Sequence, residues 1–235
     1  MPRAPLMNPP PDLLPIFRQS PLLSALDEPS LQSLAQSAHL RRLRPGERLF
    51  NQGDRGEAVY IVCAGRLAVV LDTPDGRELV INELRTGDFC GELALLDGQT
   101  HTASAVGRAP GYVAAIPSAR FLALLDSQPR LMRRLLEILV ERLRASTERE
   151  SALAFLTAPA RLARLMLHEL EPGAPGVPLV AVSQDDLALR VGVTRQTVAK
   201  ILGGWRRAGW IITGRGRIML VDLSALRRLA NELAP

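Results

Sequence analysis

VGVTRQTVAKILGGWRRAGWI, residues 191–211, is the stretch on which the reading of the whole chain turns. Gly192 marks a tight turn, Thr194 has the side-chain oxygen that caps a helix start, and apolar residues then recur at helical spacing. Upstream, Ser183 is placed to cap a shorter helix that opens with Asp185 and Asp186. Downstream, WIITGRGRIMLV (210–221) reads as a two-stranded hairpin with a Gly-Arg-Gly tip, followed by a short helix from Ser224. Two capped helices, a glycine turn and a hairpin make a winged helix-turn-helix.

In such a unit the second helix enters the major groove and offers the side chains of its first turns to base edges. Arg195, Gln196 and Lys200 fall close to one face of that helix. Arginine bonds bidentately to guanine O6 and N7, glutamine to adenine N6 and N7, and lysine to a guanine or a phosphate. Ser183, Thr194 and Thr197 lie where hydroxyls and helix-start amides meet phosphates, and Arg215 and Arg217 on the hairpin suit the flanking backbone or minor groove. Charge points the same way. The net charge is +5, yet residues 1–157 carry 18 arginines against 18 acids, so the whole excess lies beyond residue 157. Between Asp186 and Asp222 there are seven basic residues and no acid, a surface suited to a polyanion such as double-stranded DNA; a solvated basic face is the plainer alternative.

Working back toward the N-terminus, a Pro/Gly linker, EPGAPGVP, precedes the unit, and the helix ARLARLMLHEL precedes the linker. Before these, Met132, Leu136, Leu139, Leu143, Ser146, Glu150 and Leu153 alternate by four and three, the seam of a two-stranded coiled coil. This predicts a long helix, capped by Asp126 or Ser127 with Pro129 in its first turn and ending near Thr157–Pro159. The seam argues for a parallel homodimer; the alternative is that this face packs on the chain's own β domain. From Glu47 to Pro117 the texture is that of short strands: ERLFN, AVYIVC, RLAVVLD, RELVINEL and GYVAAI, parted by turns such as NQGD, TPDG and RTGD. An antiparallel β sandwich or jelly roll follows. SPLLSALDEPSLQSLAQSA, with Asp27 or Ser30 as cap, adds a helix behind a proline-rich leader. The fold class is therefore α+β, with an N-terminal β roll over residues 1–128, a dimerisation helix over 129–157 and a winged helix-turn-helix over 158–235.

The recognition stretch resembles that of the Crp/Fnr superfamily of bacterial transcription regulators, whose helix typically begins Ser-Arg-Glu-Thr-Val; here it reads Thr194-Arg195-Gln196-Thr197-Val198, with Lys200 beyond. The similarity runs from about Phe17 to Ala230 in the same order of parts. It implies that Arg195 reads guanine, that Gln196 replaces an acid that accepts from cytosine, and that RNA polymerase is a partner. It also gives a role to GELALLDGQTHTAS (91–104), which is similar to the family's phosphate-binding cassette. By the resemblance, the amides of Gly91 to Leu93 and the Thr102 hydroxyl would meet a cyclic phosphate, Glu92 would take the ribose 2′-hydroxyl, Ser146 and Thr147 would contact adenine, and Arg142 would pair with Glu92. His101 stands where the resemblance implies a phosphate-clasping arginine.

That replacement weighs against cyclic AMP as ligand. Imidazole lacks the permanent charge and planar fork of guanidinium. Protonating an unperturbed histidine at pH 7.5 costs about 1.4 kcal/mol, and the lost second hydrogen bond about 1.5 to 3 kcal/mol more. Affinity should fall by roughly two to three orders of magnitude. Three expectations stay open: weak cyclic AMP binding that improves at low pH, a different small effector, or a pocket without ligand and a dimer controlled by its abundance.

The remaining residues exclude more than they propose. Cys63 and Cys90 have no CxxC spacing and read as buried free thiols; His39, His101 and His168 are scattered without metal-ligand spacing. No metal, cluster or haem is expected. No nucleophile-base constellation, GxGxxG or P-loop points to an enzyme. A cyclic-nucleotide-binding regulatory module that does not read DNA is the alternative function. No apolar run is long enough to span a membrane, and the leader lacks a signal-peptide core, so a cytoplasmic protein is expected.

Overall fold

The computed structural model describes residues 10–72, 78–170, 178–180, 182–214 and 217–233, and the chain forms two compact units, Met1–Glu141 and Arg142–Pro235.

In the first unit, α1 (Leu13–Gln19) and α2 (Glu28–Ser37) are capped by Asp12 and Asp27, whose carboxylates accept from the Leu14 and Ser30 amides. Of the two caps expected for the second helix, Asp27 is the one used. Six strands follow: β1 (His39–Leu43), β2 (Arg48–Phe50), β3 (Ala58–Asp72), β4 (Glu78–Leu84), β5 (Phe89–Cys90) and β6 (Ser104–Pro117). They form one antiparallel sheet in the order β1-β6-β3-β4, with β2 also on β6 and β5 on β3.

AVYIVC and RLAVVLD, which read as separate strands, are one: β3 runs through Ala64-Gly65 with register shifts against β6 instead of a turn. GYVAAI likewise extends back to Ser104, because Pro110 falls in the irregular stretch where a missing N–H breaks no ladder bond. β1 carries Arg41 and Arg42 and lacks alternation, which hid it from a periodicity reading. TPDG lies outside the described residues.

β3 is buried on both faces, which explains its long apolar run. Val59, Ile61 and Cys63 pack into a core with Phe17, Leu34, Phe89 and Phe121, while Val62 and Leu67 point into a second core with Leu43, Phe50, Cys90 and Val113. Both cysteines are buried and outside any disulfide, and burial pushes the Cys63 thiol up to about 11, so it stays protonated. An ionic knot joins four strands. Arg48 donates to both Asp72 oxygens at 2.7 Å and to Glu78 at 3.2 Å, and the buried Ser104 accepts from Arg48 and donates to Asp72, each at 2.9 Å. Hydrogen bonds from Arg48 and then Ser104 hold the Asp72 carboxyl down at about 2.

After α3 (Glu92–Leu96) and α4 (Ser118–Ser127) comes the long helix α5 (Pro129–Phe155). Asp126 and Ser127 do not cap it: they end α4, where the Ser127 hydroxyl donates back to the Ala123 carbonyl at 2.8 Å, and Gln128 forms the joint. Leu131, Leu135 and Ile138 bury one stripe of α5 in the first unit's core, with Met132 and Leu139 partly buried beside them. The expected seam is thus divided, since Leu136 and Leu143 stand 55% and 67% exposed.

In the second unit, Thr157 caps α6 (Ala158–His168), so Pro159 sits in the first turn of this helix. Then come β7 (Leu179–Val180), α7 (Gln184–Val191), α8 (Arg195–Arg207), β8 (Ile211–Gly214), β9 (Arg217–Leu220) and α9 (Leu223–Leu229). The strands form an antiparallel sheet in the order β7-β9-β8. Leu162, Met166, Leu187, Val198, Leu202, Trp205, Ile218 and Leu226 make its core. α9 starts one residue ahead of Ser224, capped by Asp222. Among the described residues no helix is long and apolar enough to cross a membrane.

Candidate functional site

Two helix caps and one glycine present the basic face. Ser183 Oγ accepts from the Asp186 amide at 3.1 Å and donates to the Asp186 carboxylate at 2.8 Å, starting α7. Gly192 ends it in the left-handed conformation, φ 72°, and the Gly192 and Val193 amides both donate to the Ala188 carbonyl. Thr194 then caps α8, accepting from the Thr197 amide at 3.2 Å, with the two threonine hydroxyls 2.9 Å apart. Val198, Leu202 and Trp205, at i, i+4 and i+7, bury one stripe of α8.

Gln196 and Lys200 stand in water opposite that stripe, and Arg195, the first residue of the helix, is exposed at its edge; all three fall within the first two turns, at the helix's positive end. Arg217 is exposed at the start of β9; Arg215 lies outside the described residues. The hydroxyls of Ser183 and Thr197 are engaged within the chain, so a phosphate would have to share or displace those bonds. One partner escaped the sequence reading: Asp185, assigned there only to the helix start, sits with Oδ1 3.7 Å from Arg195 Nε. No local pattern announces a contact between residues ten apart.

The cassette in the first unit has a different character. Gly91 turns from β5 into α3 at φ 90°, and a Cβ there would lie 2.8 Å from the Ala58 carbonyl oxygen, so only glycine fits. Glu92 is buried at 2% exposure, Leu93 is exposed and Thr102 is exposed. His101, the expected stand-in for a phosphate-binding cation, is only 5% exposed. Its ring stacks on Phe50, centroids 3.8 Å apart and planes within 14°. Its backbone is fixed to the NQGD turn: the His101 amide donates to the Asp54 carbonyl at 2.8 Å, and the Gly53 amide donates to the His101 carbonyl at 2.9 Å. Burial pulls the imidazole pKa below its ordinary value, against a smaller opposing pull from Asp54. Burial thus favours the uncharged ring. Phe50, the other half of the stack, was visible in the sequence only as a strand residue.

Arg142, Ser146 and Thr147 belong to the second unit. Ser146 Oγ donates to Glu150 Oε1 at 3.3 Å, and Thr147 Oγ1 donates to the Leu143 carbonyl at 3.1 Å. Both hydroxyls are satisfied within α5. Arg142 is half-buried.

The comparisons agree with this arrangement. The cyclic nucleotide-binding domain family matches residues 40–128, and the Crp-like helix-turn-helix domain family matches residues 160–229. The chain is 32% identical over 219 residues to the cyclic AMP receptor protein of Thermus thermophilus, covering 93% of this chain and 100% of that one. Among solved structures, the c-di-GMP responsive global regulator CLP of Xanthomonas campestris aligns with a TM-score of 0.74 at 27% identity, over 83% of this chain and 100% of the other. A CRP/FNR-family transcriptional regulator of Thermus thermophilus aligns at 0.68 and 27%, with the same coverage. A roll that matches the cyclic nucleotide-binding domain family, a long helix and a capped helix-turn-helix with exposed basic side chains thus occur together in matching order, and the chain belongs to the CRP/FNR family of DNA-binding transcription regulators.

Proposed function

We propose that the chain acts as a homodimer on a pseudo-palindromic DNA site, reading each half-site with Arg195, Gln196 and Lys200, and that it does so without needing a cyclic nucleotide at neutral pH. The observation that carries the DNA reading is the exposed stripe of α8, held rigid by the Thr194 cap and by a buried apolar stripe behind it. Arg195 takes a guanine, Gln196 an adenine, and Lys200 and Arg217 the backbone. Leu136, Val140 and Leu143, spaced i, i+4, i+7 and between 49% and 67% exposed, support pairing of α5 with a second copy along residues 129–157. RNA polymerase as a further partner and a cytoplasmic location follow from the family's role.

Ligand independence rests on His101. A neutral, buried ring offers an anion neither charge nor fork, and binding would have to unstack it from Phe50 as well as protonate it. The relatives' names, cyclic AMP receptor protein and c-di-GMP responsive regulator, favour a second reading. In that reading the surviving Glu92 and Thr102 hold a cyclic nucleotide weakly, and more tightly in acid.

Random-sequence DNA selection with the ligand-free protein tests the first part. The expected product is a palindrome whose half-sites lie about one helical turn, 34 Å, apart. No enriched sequence at moderate salt refutes it. Calorimetry with cyclic AMP and cyclic GMP at pH 6 and pH 8 tests the second. Ligand-independent DNA binding with no heat at pH 8 is expected, whereas DNA binding that appears only with nucleotide overturns independence.

A further inference from the structure

Of the two acids that open α7, Asp186 is committed to the Ser183 cap, while Asp185 turns its carboxylate toward the recognition helix and meets Arg195. No acid occurs between Asp186 and Asp222, so α8 itself offers Arg195 no carboxylate. We infer that Asp185 is a positioning residue for base reading, aiming the Arg195 guanidinium from the preceding helix. The inference rests on the proposal that Arg195 reads a guanine.

The contact is made at Nε, the inner edge of the guanidinium. That leaves Nη1 and Nη2, the outer pair of donors, free for guanine O6 and N7. At 3.7 Å it is an ion pair without a hydrogen bond, and both side chains are about two-thirds exposed, 68% and 66%. In the free protein it is therefore weak. Covered by DNA, the two side chains lose most of their screening by bulk water, the same attraction strengthens, and the carboxylate restricts an arginine that otherwise pays for being ordered. Asp185 has a second, opposite effect: its negative charge opposes the phosphates wherever the protein lands. The repulsion lowers affinity for all DNA alike and leaves the ratio between sites unchanged; the aiming alone favours the site with guanine in register and widens that ratio.

This separates aiming from simple charge. The full-length protein is first used to select its site, and affinities for that site and for a copy with the guanine changed are then measured for wild type, Asp185→Ala, Asp185→Asn, Arg195→Ala and the double variant. Asp185→Ala should bind non-specific DNA at least as tightly as wild type yet lose about fivefold in discrimination, at the Arg195 base pair alone. Asp185→Asn keeps an acceptor without the charge and should retain part of the preference. In the Arg195→Ala background the Asp185 substitution should no longer alter discrimination. A uniform gain in affinity for every DNA with the preference unchanged overturns the inference and leaves the DNA-reading proposal standing. Failure of the wild type to select any sequence refutes that proposal, and the inference with it.

Discussion

On α8 the basic side chains stand in water on a helix whose other face is buried; at the cassette the single basic ring is buried and laid flat on a phenylalanine. A surface that must find a polyanion from a distance needs permanent charge facing solvent, and α8 keeps it. A pocket that must hold one phosphate needs a cation it can turn inward on demand, and burial disfavours the charged form of His101. Family matches cover both regions, yet the basic side chains are exposed in one and the basic ring is buried in the other.

The hardest way to break the comparison is to remove the platform under α8. Trp205, 5% exposed, fills the second unit's core, so Trp205→Ala should cost about 3 to 5 kcal/mol in chemical denaturation and abolish sequence-specific DNA binding. Next in size, His101→Arg should give the cassette back its charge. Cyclic AMP affinity at pH 7.5 is expected to rise by about two to three orders of magnitude in calorimetry, and an absence of heat with either protein means that the pocket has been lost in more than one residue. Arg195→Ala should weaken binding to the selected site by about 1 to 3 kcal/mol in gel shift and relax the preference at one base pair, whereas retained selectivity removes Arg195 from the reading set.

The smallest effect is one of pH. Because the folded-state pKa of His101 lies below that of the unfolded chain, the unfolded chain binds the proton more readily. His101's contribution is complete above about pH 6.5 and is lost as pH falls from there through the folded pKa. Thermal melts between pH 7.5 and 5 should show a fall for wild type that is reduced in His101→Phe. Equal falls in the two proteins assign the titration elsewhere.

How legible each region was follows from the range of its determinants. Ser183, Gly192 and Thr194 act on amides within a few residues, and Val198, Leu202 and Trp205 repeat at helical spacing, so the helix-turn-helix could be read locally. The strand run was legible as β structure, but not where β3 and β6 began, because Gly65 and Pro110 sit at irregularities inside continuous strands. The two contacts that most change the functional reading, Phe50 on His101 and Asp185 on Arg195, join residues that no periodicity links. His101 was recognisable as a replaced arginine; that it is also shut away required the fold of the NQGD turn around it.

The ring stack also makes the pocket its own reporter. With the Phe50 and His101 ring centroids 3.8 Å apart, the imidazole protons should fall in the shielding cone of an aromatic ring current, and their NMR resonances are expected upfield. Any occupant that enters the cassette by turning His101 outward must lift the ring out of that cone. A single pair of proton lines moving downfield would then count the fraction of opened pockets, without a label and without knowing in advance what the occupant is.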